Sequence, residues 1–597
     1  MRRAFVQAFH TARRAPVWRV AGKRPSPLRF SHNQVRGLRP YSGGRPSSYL
    51  PAALQSPMRF RNFGIAVFST AVASGAWYAY QSDGSAQSLA TQVRGFAAGA
   101  IKTAHAEGPS DSTRRALLVS NDQFYTQTLS EDQPLSKKAD DSDRRMLNML
   151  TPEQATEKLR KNEESYFVNR GKGVVRYDIV QVPSNSPIED DHAELIVEVP
   201  SSVAANQNGE PSSDWSFWAV FDGHSGWTTS AKLRNVLISY VARELNATYK
   251  AAATDPSVLL PSSEAIDAAI KQGFLRLDHD IVNESVNKVL KSNSRRMAAE
   301  LLAPALSGSC ALLSFYDSQS KDLKVAVAGD SRAVLGRRGS NGKWTATALS
   351  EDLTGGTPSE IKRLQAEHPG EPYVTRNGRI LGGLEPSRAF GDAVYKWTKD
   401  VQDKIKGQFF GRSPSPLLKT PPYVTAEPVI TTTKIDPSKG DFVVMATDGL
   451  WEMLTNEEVV GLVGQWLEQQ SGAGSSKSWL QSWFSFGGQK QLPVKGTGTT
   501  SEGQRRPFRQ EQYAIPEGES RFVVEDKNAA THIVRNAMGG KDKEMICALL
   551  TLPSPYSRRY RDDITVEVIF FGNGPDSRTV ETNEEATAPE EPVRAKI

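Results

Sequence analysis

The stretch WSFWAVFDGHSGW, residues 215–227, decides how the rest of the chain is read. Its first half is apolar, aromatic and free of Gly and Pro, which predicts a buried strand. It stops at Asp222-Gly223-His224-Ser225-Gly226, after which Leu233, Val236, Leu237, Tyr240, Val241 and Leu245 recur at helical spacing. A carboxylate and an imidazole therefore stand at a strand tip, on a glycine-flanked turn that lets backbone carbonyls approach a bound ion. Asp-Gly is also the commonest kind of turn signal, and taken alone a plain turn is the better reading.

Other segments tip the balance. An apolar strand at 323–328 ends at Gly329-Asp330-Ser331-Arg332, and another at 441–446 ends at Thr447-Asp448-Gly449 ahead of a helix over 456–468. Pro187 initiates a turn that carries Glu189, Asp190 and Asp191 into a strand at 193–199, and Asp562-Asp563 opens a last strand at 564–571. Adjacent carboxylates repel one another, and a divalent cation offsets that cost. Further strands are predicted at 166–182, 311–316 and 333–335, and helices at 265–287, 288–302, 360–367, 526–538 and 543–549.

Five acidic sites, Glu189/Asp190, Asp222, Asp330, Asp448 and Asp562, thus lie at strand or turn ends in segments far apart along the chain. Hard cations such as Mg²⁺ or Mn²⁺ prefer oxygen ligands. With only two cysteines and eight histidines, zinc is disfavoured and no disulfide framework is available. Two such ions close together can activate a shared water for in-line displacement at phosphorus, so the residues by themselves lead to a metal-dependent hydrolase.

The 597 residues and their ordinary composition fit one large catalytic domain with appendages. The net charge of +6 does not mark a nucleic-acid partner, because thirteen Arg and Lys residues precede the first acid, Asp83, and the remainder is mildly acidic. Residues 1–62 lack acids and begin MRRAFVQAFHTARRA, the pattern of a mitochondrial presequence. Residues 63–80, FGIAVFSTAVASGAWYAY, are uncharged and end in aromatics, which makes them a candidate transmembrane segment of the inner membrane. The basic flank at Arg59 and Arg61 would turn the N-terminus to the matrix and the rest to the intermembrane space. A linker is expected over 81–145, a folded domain over 146–572 with a low-complexity insertion at about 470–518, and a disordered acidic tail over 573–597. Trp479, Trp483 and Phe484 in the insertion are candidates for a partner or membrane contact. The final Ala595-Lys596-Ile597 loosely resembles a peroxisomal address.

IED at 188–190, FDGHSG at 221–226, SGSCA at 307–311, AGDSRAVLG at 328–336, SRAFGD at 387–392, ATDGLWE at 446–452 and RDDIT at 561–565 occur in the order seen in metal-dependent protein phosphatases of the type 2C family. The resemblance spans about residues 165–572. Within the family, NSPIEDD at 185–191, LGGLEPSRAFGD, TPPYVTAEP at 420–428 and YRDDIT at 560–565 are most similar to the pyruvate dehydrogenase phosphatase branch and its fungal mitochondrial relatives.

The resemblance implies an α+β fold of two stacked antiparallel β-sheets flanked by helix pairs. It implies a serine/threonine phosphatase in which a water bridging two divalent cations attacks the phosphorus. Carried over by motif, Asp222 bridges the ions, Glu189 and the Gly223 carbonyl hold one, and Asp448 and Asp562 hold the other. Asp190 acts through a bound water, Asp330 serves a weaker third ion, and His224 is the general acid. Asn185 stands where the family usually has a phosphate-binding arginine, and an amide there loses the bidentate charged contact. Arg332, Ser387, Arg388 and Asp392 are expected to support turns. The implied substrate is the phosphorylated pyruvate dehydrogenase complex, which lies in the matrix, whereas the anchor as oriented would place the domain outside it. A phosphatase of the intermembrane space acting on another protein, or an inactive scaffold, are the alternatives, and the second would be expected to lack a ligand.

Overall fold

From Asp214 onward, every residue of the strand Ser213–Phe221 is buried, because both of its faces are covered. The computed structural model describes residues 113–119, 124–130, 145–199, 213–254, 260–472, 492–494, 503–513, 515 and 518–589. Trp215, Phe217, Ala219 and Phe221 point one way, into a core shared with Leu233, Leu237, Val241 and Leu245 of the helix Thr228–Ala252 and with Ile270 and Phe274 of the helix Ser263–His279. Trp218 and Val220 point the other way, onto Tyr177, Ile179, Val443, Met445 and Ile569 of a second sheet. The period-two alternation of a strand thus serves two cores at once. Each large apolar side chain so buried contributes about 1.5–3 kcal/mol.

The first sheet has five antiparallel strands in the order Val429–Lys434, Asp322–Ala328, Ala311–Asp317, Ser213–Phe221, Asp191–Val199. The second has seven, in the order Trp344–Ala348, Arg332–Arg338, Phe442–Ala446, Ile564–Phe571, Val174–Val182, Glu163–Arg170, Asp576–Thr582. On its outer face Phe442, Val444, Val566 and Val568 meet Val459 and Val463 of the helix Asn456–Gly472, Ile533 of Ala529–Ala537 and Leu549 of Lys543–Thr551. The layering is helix, sheet, sheet, helix, as the α+β expectation required.

Three expectations about boundaries are corrected. The region 81–145 is not linker throughout, for Thr113–Val119 pairs with Phe124–Ser130 and with Arg145–Asn148, and Leu117 and Val119 enter the core of the second helical layer. The tail is ordered to residue 589, because Asp576–Thr582 covers the open edge of Glu163–Arg170, Ala586 is buried, and its carbonyl accepts from Asn528 Nδ2 at 3.0 Å. Its charge is tolerated because an edge strand leaves side chains in water. The insertion returns to the domain twice: Trp344 N donates to the Pro493 carbonyl at 2.7 Å and Arg505 N to Asp352 Oδ2 at 2.8 Å.

The single strand expected over 166–182 is a hairpin, turned at Gly171 and Gly173 with φ of 62° and 93°. The helix expected over 265–287 is interrupted by a π-helical turn at Asp280–Glu284, and that over 288–302 restarts where Ser294 caps Arg295–Leu301. Residues 1–62, the candidate membrane segment 63–80, Trp479, Trp483, Phe484 and the C-terminal tripeptide lie outside the described residues. Among the described residues no helix is long and apolar enough to cross a membrane.

Candidate active site

The central strand delivers Asp222 to the end of the sandwich, and a glycine must follow it. A Cβ at position 223 would lie 2.0 Å from the Glu189 carbonyl oxygen, so the acidic turn and the strand tip can touch only through Gly223. The chain then reverses through Ser225 and Gly226, with φ of 59° and 124°, into the helix Thr228–Ala252. Asp448 arrives beside Asp222, its backbone N–H 3.4 Å from Asp222 Oδ2. Asp190 Oδ2 accepts from the Thr447 and Thr565 hydroxyls at 2.8 and 2.9 Å. Asp330 Oδ1 accepts from the Cys310 thiol at 3.3 Å.

These acids act on one another. Burial, and then the neighbouring Asp448, Asp190 and Asp330, push the Asp222 carboxyl well above the usual carboxylate range. Asp190 is raised by burial and by Asp563, and Asp330 is pushed up to about 7 by burial and Asp448. Glu189 is raised by burial, against the pull of Arg558. Buried like charges of this kind need a compensating cation. The donors are all oxygens and Asp448 Oδ1 is buried without a hydrogen-bond partner, so the set fits a hard divalent ion. The structure thus brings Glu189, Asp190, Asp222, Gly223, Asp330 and Asp448 together, and Asp562 joins them through its ion pair with Arg558.

His224 Nε2 lies 2.7 Å from Asp392 Oδ2. Burial pulls the imidazole down, but the Asp392 carboxylate outweighs it and the ring titrates above its ordinary value. Asp392, expected to support a turn, is therefore also the group that orients His224. Arg332, Ser387 and Arg388 do hold turns: Arg332 pairs with Asp352 at 2.6 Å, while Ser387 Oγ and Arg388 Nη2 donate to Glu360 at 2.6 and 2.7 Å.

Asn185 donates through Nδ2 to Asp563 Oδ2 at 3.1 Å, and Asp563 also accepts from the backbone N–H groups of Asn185 at 2.8 Å and Glu189 at 2.9 Å. Asp563 thus fastens the whole acidic turn. Two arginines were not anticipated. Arg558 comes from the short 3-10 turn Tyr556–Arg559 and faces Asp562, Glu189 and Asp222. Its position four residues before Asp562 was the available signal. Arg505 pairs with Glu385 at 2.9 Å and feels Asp448 and Asp330, and nothing in its low-complexity surroundings marked it.

Comparison with known proteins agrees with this geometry. Residues 197–478 match the family model described as Protein phosphatase 2C. The mitochondrial pyruvate dehydrogenase [acetyl-transferring]-phosphatase 1 of Saccharomyces cerevisiae is 46% identical over 70% of this chain and 72% of its own length. A protein phosphatase 2C homolog of Schizosaccharomyces pombe is 44% identical over 70% of this chain and 84% of its own. The Bos taurus mitochondrial pyruvate dehydrogenase phosphatase 1 is 31% identical over 71% of this chain and 83% of its own. The chain belongs to the type 2C protein phosphatases and is a protein serine/threonine phosphatase. Within that family it is similar to the pyruvate dehydrogenase phosphatases and their fungal relatives, and like those named mitochondrial it is a protein of the mitochondrion.

Proposed function

We propose that this phosphatase acts on phosphoserine or phosphothreonine of the pyruvate dehydrogenase complex. The observation that carries the reading is the 46% identity to the yeast enzyme across 72% of that enzyme's length. All seven residues assigned to metal lie at the same end of the sandwich, which argues against an inactive scaffold.

Two divalent cations, Mg²⁺ or Mn²⁺, would be held by Glu189, the Gly223 carbonyl, Asp222, Asp448 and Asp562, with Asp190 behind them and Asp330 serving a weaker third. When bound, they would supply charge neutralisation at the phosphoryl oxygens and a water of lowered pKa. The chain's own residues do the rest. Arg558, whose side chain is 47% exposed, offers the phosphate a guanidinium in place of the one missing at Asn185. Asn185 instead steadies the turn that carries Glu189. His224, whose pKa the Asp392 carboxylate at Nε2 raises against burial, is left with Nδ1 as the nitrogen that gives a proton to the departing serine or threonine oxygen.

The test is phosphate release from phosphorylated pyruvate dehydrogenase and from a phosphothreonine peptide, with Mg²⁺ or Mn²⁺ and with chelator, beside Asp222→Asn. Metal-dependent release from the dehydrogenase is expected. Release from the peptide alone would reject the named substrate, and release from neither would favour a scaffold. Attachment to the inner membrane through residues 63–80 is a separate part of the proposal, which release of the protein by alkaline carbonate would overturn.

A further inference from the structure

Below the cleft, the strand Asp191–Val199, which begins just after Asp190, presents His192 and Glu194 to Glu567 of the strand Ile564–Phe571 in the other sheet. Among the described residues, these are the His, Cys, Asp and Glu side chains found as a group of three with ligand atoms all within 4.8 Å of one another. His192 Nδ1 is 2.6 Å from Glu194 Oε1 and 4.0 Å from Glu567 Oε1. Glu567 has no exposed surface, and neither of its carboxylate oxygens has a hydrogen-bond donor. The nearby cation, Arg234, is engaged at 3.1 Å by Asp191 and reaches Glu194 electrostatically, while Glu567 feels burial and Glu194. Tyr177 and Glu164 complete the surroundings, and the positive charge within the group is that of the His192 ring, which burial pulls down but Glu194 outweighs, so that it is pushed up to about 9.

A carboxylate in this position is one of the costlier groups a core can hold, since desolvation takes several kcal/mol from an unpaired charge. Without an ion the group balances itself only by holding protons on the His192 ring and on Glu567. An ion takes their place, since the deprotonated imidazole and two carboxylates carry two negative charges, which one divalent ion cancels. One ring nitrogen with two carboxylate oxygens is a borderline donor set, suited to Zn²⁺ and unlike the all-oxygen cleft. Glu194 and His192 belong to the five-stranded sheet and Glu567 to the seven-stranded one, so an ion here would tie the two layers together. The tie would sit directly behind the bond from Thr565 to Asp190, which steadies the cleft.

We propose that His192, Glu194 and Glu567 form a structural Zn²⁺ site that joins the two sheets beneath the catalytic cleft. The site is closed to substrate, and its ion would exchange slowly.

The experiment uses the full chain, purified without chelator and then dialysed against EDTA, with metals counted by mass spectrometry. About one zinc per chain is expected to remain, as for a closed structural site. It should remain in Asp222→Asn, where the cleft is impaired, and fall several-fold in Glu567→Gln and His192→Gln. Co²⁺ loaded into the Asp222→Asn protein should give visible absorption of the intensity typical of four or five ligands, absent from Asp222→Asn/Glu567→Gln. If the wild-type chain retains no zinc and Co²⁺ shows only weak octahedral absorption, the proposal fails and Glu194 and Glu567 share a proton instead. The first reading needs no variant, so a Glu567→Gln protein that does not fold leaves the outcome decided.

Discussion

His224 Nε2 and Asp392 Oδ2 are 2.7 Å apart across the backbone of Gly308, where a Cβ would come within 2.1 Å of the nitrogen and 2.3 Å of the oxygen. Three segments far apart along the chain meet at this one bond. If His224 is the general acid, His224→Asn should lower kcat on a phosphothreonine peptide about 10²–10⁴-fold. It should have far less effect on p-nitrophenyl phosphate, whose phenolate leaves without a proton. Equal losses on both substrates would remove His224 from the acid role.

Asp392 raises the imidazole's pKa, and the acid works only while protonated, so peptide activity falls as pH rises through that pKa. Asp392→Asn removes the raising charge. The alkaline limb of the kcat profile should therefore move to lower pH, and an unmoved limb would mean that Asp392 only shapes the turn.

The cleft acids repel each other in the absence of cations, as the raised Asp222, Asp190 and Asp330 carboxyls record. Asp222→Asn should abolish activity and yet raise the thermal midpoint of the metal-free protein by a few degrees, on the order of 1 kcal/mol. Calorimetry in EDTA reads this directly. A lower midpoint in the variant would show that repulsion is already relieved by other means.

Arg558 is assigned the phosphate contact, so Arg558→Ala should raise KM about 10-fold or more, the worth of a charged hydrogen bond, with a smaller change in kcat. Arg558→Lys should recover part of the loss. Asn185→Ala should change KM less, because its amide is held by Asp563. The reverse ranking would return the phosphate contact to Asn185.

His532 is fully buried on the helix Ala529–Ala537, with Nε2 donating to the Leu462 carbonyl at 3.1 Å and Nδ1 facing the Asn536 amide at 3.3 Å. Burial holds its pKa down at about 4, against an ordinary 6.5. The folded state thus favours the neutral ring, so this contribution is complete above pH 6.5 and is lost as pH falls toward 4. The loss is on the order of 3 kcal/mol. Denaturant titrations should show a shallower decline over that interval in His532→Gln.

The seven-stranded sheet ends on Asp576–Thr582, not on the last apolar strand. Truncation after Gly572 should lower the thermal midpoint by several degrees, since it strips an edge strand and uncovers the pocket that Ala586 fills. An unchanged midpoint would restore the tail to disorder.

Much of this molecule was legible in one dimension. The strands at 311–317, 322–328, 442–446 and 564–571 and the helices at 228–252, 456–472 and 543–551 announce themselves, because each must bury a face and its apolar period shows it. Each acid at a strand end reads by itself as a plain turn, and the acids could be picked out because the same device recurs at the ends of several apolar strands. What the period cannot carry is partnership. Thr113–Val119 and Asp576–Thr582 are strands because another edge waits for them, and nothing local in polar sequence records that edge. Arg558, Arg505 and Glu567 are not singled out in the sequence, and Asp392 reads there as a turn residue. Only the folded chain decides which charges face one another, because electrostatic energy depends on distance in space and on burial, and neither is a property of order along the chain.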